Sequence, residues 1–134
     1  MLASTWFYLT AFISAFLLFQ IQPMIAKFIL PWFGGSSLVW TTSMLFFQVV
    51  LVLGYAYSHA ISGRVSLRAQ WILHSGLLLI AVLFLPIVPY ENFKPTSGDM
   101  PTYKVLTLLT AVVGVPFFIL SATAPLIQKW YSNT

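Results

Sequence analysis

Apolar residues form four long runs along the chain, separated by short polar or turn-forming stretches. The runs cover about 5–30, 38–60, 67–88 and 103–128. A helix needs about 20 mostly apolar residues to cross the hydrocarbon core of a bilayer, and each run reaches that length. Strand-like alternation over about 10 residues, which a membrane β-barrel would need, is missing. The pattern therefore predicts an all-α integral membrane protein with four transmembrane helices in a single domain, residues 1–134.

The three breaks between these runs differ in length and chemistry. The first begins at Pro31 and contains Gly34-Gly35, which predicts a tight turn directly after a helix end. The second covers residues 61–66. The third, residues 89–102, is the one long polar loop and holds both acidic residues of the sequence, Glu91 and Asp99.

Polar residues interrupt the first apolar run and raise the main question about function. On a helix, Gln20, Pro23 and Lys27 lie along one face, and Gln22 projects from another side. Pro23 leaves the carbonyl near Phe19 without its helical partner, which predicts a kink. Gln20 or Gln22 is then expected to satisfy that carbonyl or to form a hydrogen bond with a neighbouring helix. The alternative is a broken helix that lines a polar cavity, as in transporters. The candidate residues for either role are Gln20, Gln22, Pro23, Lys27 and Gln48.

Small residues predict surfaces where helices pack closely. Ala11 with Ala15, and Gly54 with Ser58, have the small-xxx-small spacing that lets two helix backbones approach. Gly114 gives the fourth run a similar surface.

Composition supports the membrane assignment. Hydrophobic residues make up 60% of the chain and charged residues 6%, with a mean hydropathy of +0.93, whereas a soluble domain carries about 25% charged residues. Cysteine is absent, which excludes disulfides and thiolate chemistry. The N-terminus has no basic region of a cleaved signal peptide, so we expect a retained first span. The basic residues lie near the ends of the runs and not on one face, so no nucleic-acid partner is predicted.

The basic residues also bear on orientation. Four spans place both termini and the 61–66 connection on one side of the membrane. Each side then carries three basic residues: Arg64, Arg68 and Lys129 on the side of the termini, and Lys27, Lys94 and Lys104 opposite. The count is tied, but two of the opposite lysines lie in or beside the acidic loop, which weakens their influence. We therefore expect a multi-pass protein of the cell membrane with cytoplasmic termini.

A weak internal repeat relates the first and fourth runs. Residues 16–28, FLLFQIQPMIAKF, align with residues 118–130, FILSATAPLIQKW, so that Pro, Ile and Lys coincide. The repeat has a period of three helices and its copies run in opposite directions, the relation found within half of a major-facilitator transporter. Such a half has six helices, so the chain is predicted to match part of one, in a 3+1 arrangement.

Two sequence blocks are similar to a known family. QPMIAKFILPWFGGSSLVWTTSMLFFQVVLVLGYAYSH (22–59) and VPFFILSATAPLIQKWY (115–131) resemble the N-terminal membrane region of the fused major-facilitator-like/spermidine-synthase-like proteins. Members of that family continue with further helices and a soluble Rossmann-like synthase domain. No glycine-rich nucleotide loop of such a domain occurs in this sequence, so the resemblance implies no synthase activity here.

The remaining chemistry-bearing residues do not form a catalytic or metal site. His59 and His74 are the side chains that titrate near neutral pH. With no cysteine and no acid inside a span, the ligands for a metal are too few, and no Ser/His/acid constellation can be argued. We expect a non-catalytic protein without a cofactor, which works in the lipid bilayer as a subunit or scaffold together with other membrane subunits or with copies of itself. The alternatives are a transporter-like module active as an oligomer, and the membrane half of a split synthase-like protein.

Overall fold

A computed structural model describes residues 2–96, 98 and 100–133, and every regular element within them is helical. In chain order these are α1 (Leu2–Ile29), α2 (Ser37–Arg64), α3 (Leu67–Val82), one 3-10 turn (Glu91–Phe93), α4 (Pro101–Leu109), a π-helical turn (Thr110–Gly114) and α5 (Val115–Ser132). The predicted all-α class is confirmed for this part of the chain. The acidic residue Asp99 lies outside the described residues.

Three helical stretches are long and apolar enough to cross a membrane: Ser4–Ile29, Ser37–Arg64 and Pro101–Ser132. The last one joins α4, the π-helical turn and α5 without a break. The third predicted window, 67–88, is wrong at its C-terminal end, because α3 stops at Val82 after 16 residues. Pro86 and Pro89 follow closely, and a proline disfavours helical backbone angles in the residue before it. Residues 83–90 therefore belong to the connection and not to the helix.

Local sequence accounts for the turn between α1 and α2. Gly34 and Gly35 have φ angles of 79° and 64°, in the left-handed region that glycine adopts without a Cβ clash. The Gly35 N–H donates to the Leu30 carbonyl at 2.8 Å, which satisfies a group at the end of α1. Ser36 then caps α2, because its hydroxyl accepts from the Val39 N–H at 3.4 Å.

Helix α5 is the central element, and α1, α2 and α3 each pack on it. In the most apolar window of Pro101–Ser132, 56% of the residues are buried, against 28% in the corresponding windows of α1 and α2. Helices α1, α2 and α3 contact one another far less than they contact α5. The core is therefore organised around one helix.

Contacts along α5 give the helix directions. Tyr8 donates to the Tyr131 hydroxyl at 3.2 Å, so the start of α1 lies beside the end of α5 and the two helices are antiparallel. Helix α2 runs parallel to α5, since its first half contacts Phe117 through Phe47 and its last turn packs near Trp130. Helix α3 is antiparallel to α5 through the contacts described below. The two ends of the chain and the α2–α3 connection therefore lie at one end of the bundle.

The long connection folds over the opposite end. Ile87 and Phe93 pack against the core cluster beside Trp32, in the turn after α1. The Lys94 ammonium lies 5.2 Å from the centre of the Trp32 ring and donates to Glu91 Oε1 at 2.8 Å. This ion pair and hydrogen bond with Lys94 lower the pKa of the exposed Glu91 carboxyl below its usual value.

Candidate functional site

Helices α3 and α5 are joined by a buried polar cluster formed by Gln70, His74, Thr123 and Trp130. The Trp130 indole N–H donates to Gln70 Oε1 at 2.8 Å, and Gln70 Nε2 donates to the Val65 carbonyl at 2.6 Å. A buried amide that uses both its oxygen and its nitrogen in this way is fixed in orientation. Gln70 thereby ties the start of α3 to the end of α5.

One turn further along α3, His74 makes the second link. Its Nε2 lies 3.0 Å from Thr123 Oγ1, and the Thr123 hydroxyl donates to the Ile119 carbonyl at 2.7 Å. Because the hydroxyl proton is used in that bond, Oγ1 accepts from His74, and the ring carries its proton on Nε2. His74 is 2% exposed, and its Nδ1 has no hydrogen-bond partner among the described residues. The ring therefore keeps one unused acceptor in a buried position.

A cavity of about 440 Å³ lies over this cluster, between α1 and α3. We call it the His74 cavity. Its apolar lining comes largely from aromatic side chains, which include Trp6, Trp71 and Trp130, and the Trp71 and Trp130 rings stack with centres 4.7 Å apart. Thr10, His74, Ser75 and Thr123 are the polar residues around it. An apolar lining with a few polar groups is the usual composition of a ligand pocket.

A second cavity of about 420 Å³, the apolar cavity, continues along the same line between α1 and the end of α3. Leu78 lines both cavities. Along α1 the lining residues run from Trp6 to Met24, a distance of about 27 Å at 1.5 Å per residue. Together the two cavities form an open groove over α5, which we call the seam groove, and its length is close to the roughly 30 Å hydrocarbon thickness of a bilayer.

The polar residues singled out from the sequence do not meet at one site. Gln20 is exposed and lines the apolar cavity, whereas Gln48 is exposed on the outer side of α2. Gln22 and Pro23 border a separate cavity of about 120 Å³ between α1 and α2. Lys27 is exposed in the last turn of α1. Among the described residues, the structure gives the side chains of Gln20, Gln22, Gln48 and Lys27 no hydrogen-bond partner.

Helix α1 continues through Pro23 as one element. Among the described residues, neither Gln20 nor Gln22 forms a hydrogen bond with the Phe19 carbonyl. The expectation that one of them satisfies this carbonyl stays a prediction. The transport alternative, which needs these glutamines on a shared path, also stays a prediction.

The small residues lie at different depths in the bundle. Gly54 and Ser58 are buried between α2 and α5, and the Ser58 hydroxyl lies 2.9 Å from the Ala122 carbonyl on the facing helix. Ala11 is half-buried beside the cluster around Trp130, and Ala15 is half-buried one turn later. Gly114 is half-buried at the end of the π-helical turn, with the Phe46 ring nearby.

No group of three histidine, cysteine, aspartate or glutamate side chains that could hold a metal occurs in the described part of the chain. His59 is exposed near the end of α2 and takes no part in the polar cluster. The chemistry available to the polar cluster is hydrogen bonding in an apolar environment.

Sequence reasoning identified His74 as a titratable residue but did not join it to Gln70, Thr123 and Trp130. One signal was present, because Gln70 and His74 are four residues apart and share a helix face. Their partners lie about 50 to 60 positions later in the chain, and spacing alone does not pair such distant residues.

Comparisons with models of protein families, with curated protein sequences and with solved structures give no match.

Proposed function

We propose that this chain is a non-catalytic membrane protein of four spans, which works as a subunit or interaction element of a larger membrane assembly. The observation that carries the proposal is the position of Gln48. It lies near the middle of α2, eleven residues after Ser37, and its side chain is exposed on the outer side of the bundle.

A glutamine amide at this depth is unfavourable in lipid. Transfer of an amide into an apolar medium without a hydrogen bond costs roughly 2–7 kcal/mol. Among the described residues Gln48 has no partner for either its oxygen or its nitrogen. A polar residue on a neighbouring membrane helix would satisfy the amide, which is how polar side chains join helices in bilayers.

The surface around Gln48 suits such a contact. Leu45, Val49, Val52 and Leu53 surround it and form a shallow depression on α2. A helix from another subunit would bury this apolar surface and reach the amide at its centre. In this proposal the partner is a membrane helix and the contact is the outer side of α2.

The fourth span of the proposal is α3 with the residues that follow it. A helix of 16 residues is about 24 Å long, somewhat less than the hydrocarbon thickness. The next six residues, LFLPIV, are apolar and supply the remaining length. The antiparallel contact of α3 with α5 supports the assignment, because α5 is part of a helix long enough to cross a membrane.

Orientation and family membership are parts of the same proposal. The end of the bundle with the termini carries Arg64, Arg68 and Lys129, and the other end carries Lys27, Lys94 and Lys104 together with Glu91. Cytoplasmic termini in the cell membrane agree with that distribution, given the weak influence of lysines beside acids. The blocks 22–59 and 115–131 support descent from the membrane region of the fused major-facilitator-like/spermidine-synthase-like proteins.

Photo-crosslinking in native membranes tests the contact. A photoreactive phenylalanine analogue at Val52 should capture a partner subunit, because Val52 is 65% exposed beside Gln48. The same analogue at Ile72, 76% exposed on α3, is the matched control and should give only weak or diffuse products. The change Gln48→Leu should reduce capture from Val52.

The corresponding change Gln128→Leu, at an exposed glutamine near the end of α5, should leave capture unchanged. Absence of any discrete product from Val52, or equal capture after Gln48→Leu, would contradict the proposal. A product that contains two copies of this chain would identify the partner as a second copy.

A further inference from the structure

We propose that the partner on the outer side of α2 is a second copy of this chain, held in a parallel dimer by a hydrogen bond between the two Gln48 side chains. The inference rests on the function proposed above, which places a membrane helix on this surface, and it identifies that helix as α2 of the other copy. Three features carry it: the spacing of the exposed residues on α2, the chemistry of the Gln48 amide and the depth of that amide in the membrane.

Exposed residues on α2 recur at alternating intervals of four and three positions. The residues of this series, which we call the α2 stripe, are Thr41, Leu45, Gln48, Val52, Tyr55 and His59. An average interval of 3.5 residues is the spacing of the contact residues in a left-handed coiled coil, and most helix pairs in membranes cross with the same geometry. From end to end the stripe is about 27 Å long, so two α2 helices remain in contact through nearly the whole hydrocarbon core.

The α2 stripe lies on the side of the helix that faces away from the bundle. Val39, Ser43 and Phe46 are buried against the other helices, and each precedes a residue of the stripe by two positions. Two positions on a helix correspond to a rotation of about 200°, so the stripe is opposite the buried face. A second copy therefore contacts the stripe without displacing any helix of the bundle.

The Gln48 amide matches a second Gln48 amide in its hydrogen-bonding groups. Its oxygen accepts and its nitrogen donates, so two such amides that face each other satisfy one another. Among the described residues neither atom has a partner within the chain. Leu45 and Val52, about one turn to each side, are 57% and 65% exposed, and in a dimer they pack around the amide pair. A polar residue within an apolar coiled-coil surface fixes the register and the number of helices.

The membrane sets the depth at which the two amides lie. Copies of one chain insert with the same orientation, so a two-fold axis along the membrane normal brings each residue of the stripe opposite the same residue in the other copy. Gln48 then meets a hydrogen-bonding partner at its own depth. The outer face of α3, by contrast, presents Ile72, Leu79 and Leu83, which are exposed and apolar and are satisfied by lipid alone.

Disulfide cross-linking in native membranes tests the register of the contact, since the chain has no cysteine of its own. Val52→Cys places a thiol on the α2 stripe. Leu53→Cys is the matched control, because Leu53 is also exposed but lies about 100° away around the helix. Mild oxidation should give a product of twice the 15.0 kDa mass of the chain from Val52→Cys, and little or none from Leu53→Cys.

Native mass spectrometry of the purified full chain in mild detergent tests the amide pair. The wild type should form a dimer, and Gln48→Leu should weaken dimerisation by about three- to tenfold, as expected for the loss of a hydrogen bond between membrane helices. Gln48→Asn, which keeps an amide, should retain more of the dimer than Gln48→Leu. Gln20→Leu, at an exposed glutamine of α1, is the matched control and should leave dimerisation unchanged.

The outcomes distinguish this inference from the function on which it rests. A wild-type chain that stays monomeric, equal cross-linking from positions 52 and 53, or unchanged dimerisation of Gln48→Leu would each overturn the dimer. If the photoreactive analogue at Val52 then captures a different protein, the proposed function stands and only the identity of the partner is wrong. Absence of any product from Val52, by either kind of cross-linking, would contradict both.

Discussion

Gly54 of α2 lies directly against Ser121 of α5, so closely that a methyl group at position 54 would overlap the Ser121 hydroxyl. The added carbon would also lie 2.9 Å from Ser121 Cβ and 3.0 Å from the Phe118 carbonyl oxygen. Backbone atoms cannot yield as the end of a flexible side chain can, so the absence of a side chain at Gly54 sets the spacing of the two helices.

The substitution Gly54→Ala should therefore destabilise the protein. Forcing one carbon into a well-packed contact costs typically about 1–3 kcal/mol, and here it would push α2 away from α5. Denaturant-induced unfolding in detergent micelles, followed by circular dichroism, measures the loss.

Gly63→Ala is the matched control for that substitution. Gly63 also lies in α2, but it is exposed and a Cβ there meets nothing within 4 Å. Because alanine favours a helix over glycine by about 1 kcal/mol, this variant should be as stable as the wild type or slightly more stable. Equal destabilisation by both changes would contradict the assignment, because it would show that the contact with α5 is not what makes Gly54→Ala costly.

Ser58 provides a second test of the α2–α5 contact. Its hydroxyl lies 2.9 Å from the Ala122 carbonyl and 2.9 Å from the Gly54 carbonyl, and its single proton is shared between them. Ser58→Ala should lower the free energy of unfolding by roughly 0.6 kcal/mol, the average for a hydrogen bond between membrane helices. Ser62→Ala, which removes a bond within the same helix, should have a smaller effect. A larger loss at Ser62 than at Ser58 would contradict the assignment.

A substitution at Trp130 tests how much the polar cluster contributes to stability. Trp130→Phe keeps an aromatic ring but leaves the buried Gln70 Oε1 without its donor, at a cost of about 1–3 kcal/mol. The control Trp40→Phe changes a tryptophan that is 48% exposed on α2 and should cost much less. Thermal unfolding monitored by circular dichroism compares the two variants, and similar losses would argue against the hydrogen bond as the cause.

Glu91 gives a prediction for pH dependence. Its folded-state pKa lies below the unfolded value because of Lys94, so the stabilisation is present above the unfolded pKa and is lost as pH falls through the folded pKa. The carboxyl is exposed, so the effect on stability is small and the pKa itself is the better measurement. Carboxyl NMR titration should give a higher Glu91 pKa in Lys94→Gln than in the wild type. An unchanged value would show that the ion pair does not form in solution.

The pattern of apolar residues was enough to predict the helical class and the turn around Gly34-Gly35, because both depend on neighbouring residues. It did not predict the end of α3 at Val82. The residues up to Val88 remain apolar, so the hydrophobic pattern alone does not indicate that the helix ends before Pro86 and Pro89. Hydropathy reports where a chain prefers lipid, whereas helix ends depend on backbone geometry.

The candidate site was harder to predict than the fold. Gln20, Gln22 and Gln48 drew attention as polar residues in apolar runs, yet the structure separates them, since each faces a different side of α1 or α2. The residues that do meet, such as His74 and Thr123, come from helices that are distant in sequence. Which faces of two helices meet depends on their packing, and one sequence does not contain that information in a local pattern.

The dominance of α5 over the packing has a consequence for how the protein is made. In the four-span arrangement proposed above, the ribosome delivers α1, α2 and α3 to the membrane before α5 is made, and these three helices have few contacts with one another. In that arrangement they remain in the membrane as separate inserted helices until α5, on which all three pack, has been translated. The bundle then assembles late, in one step, and the insertion machinery has to protect three unassembled helices until that step.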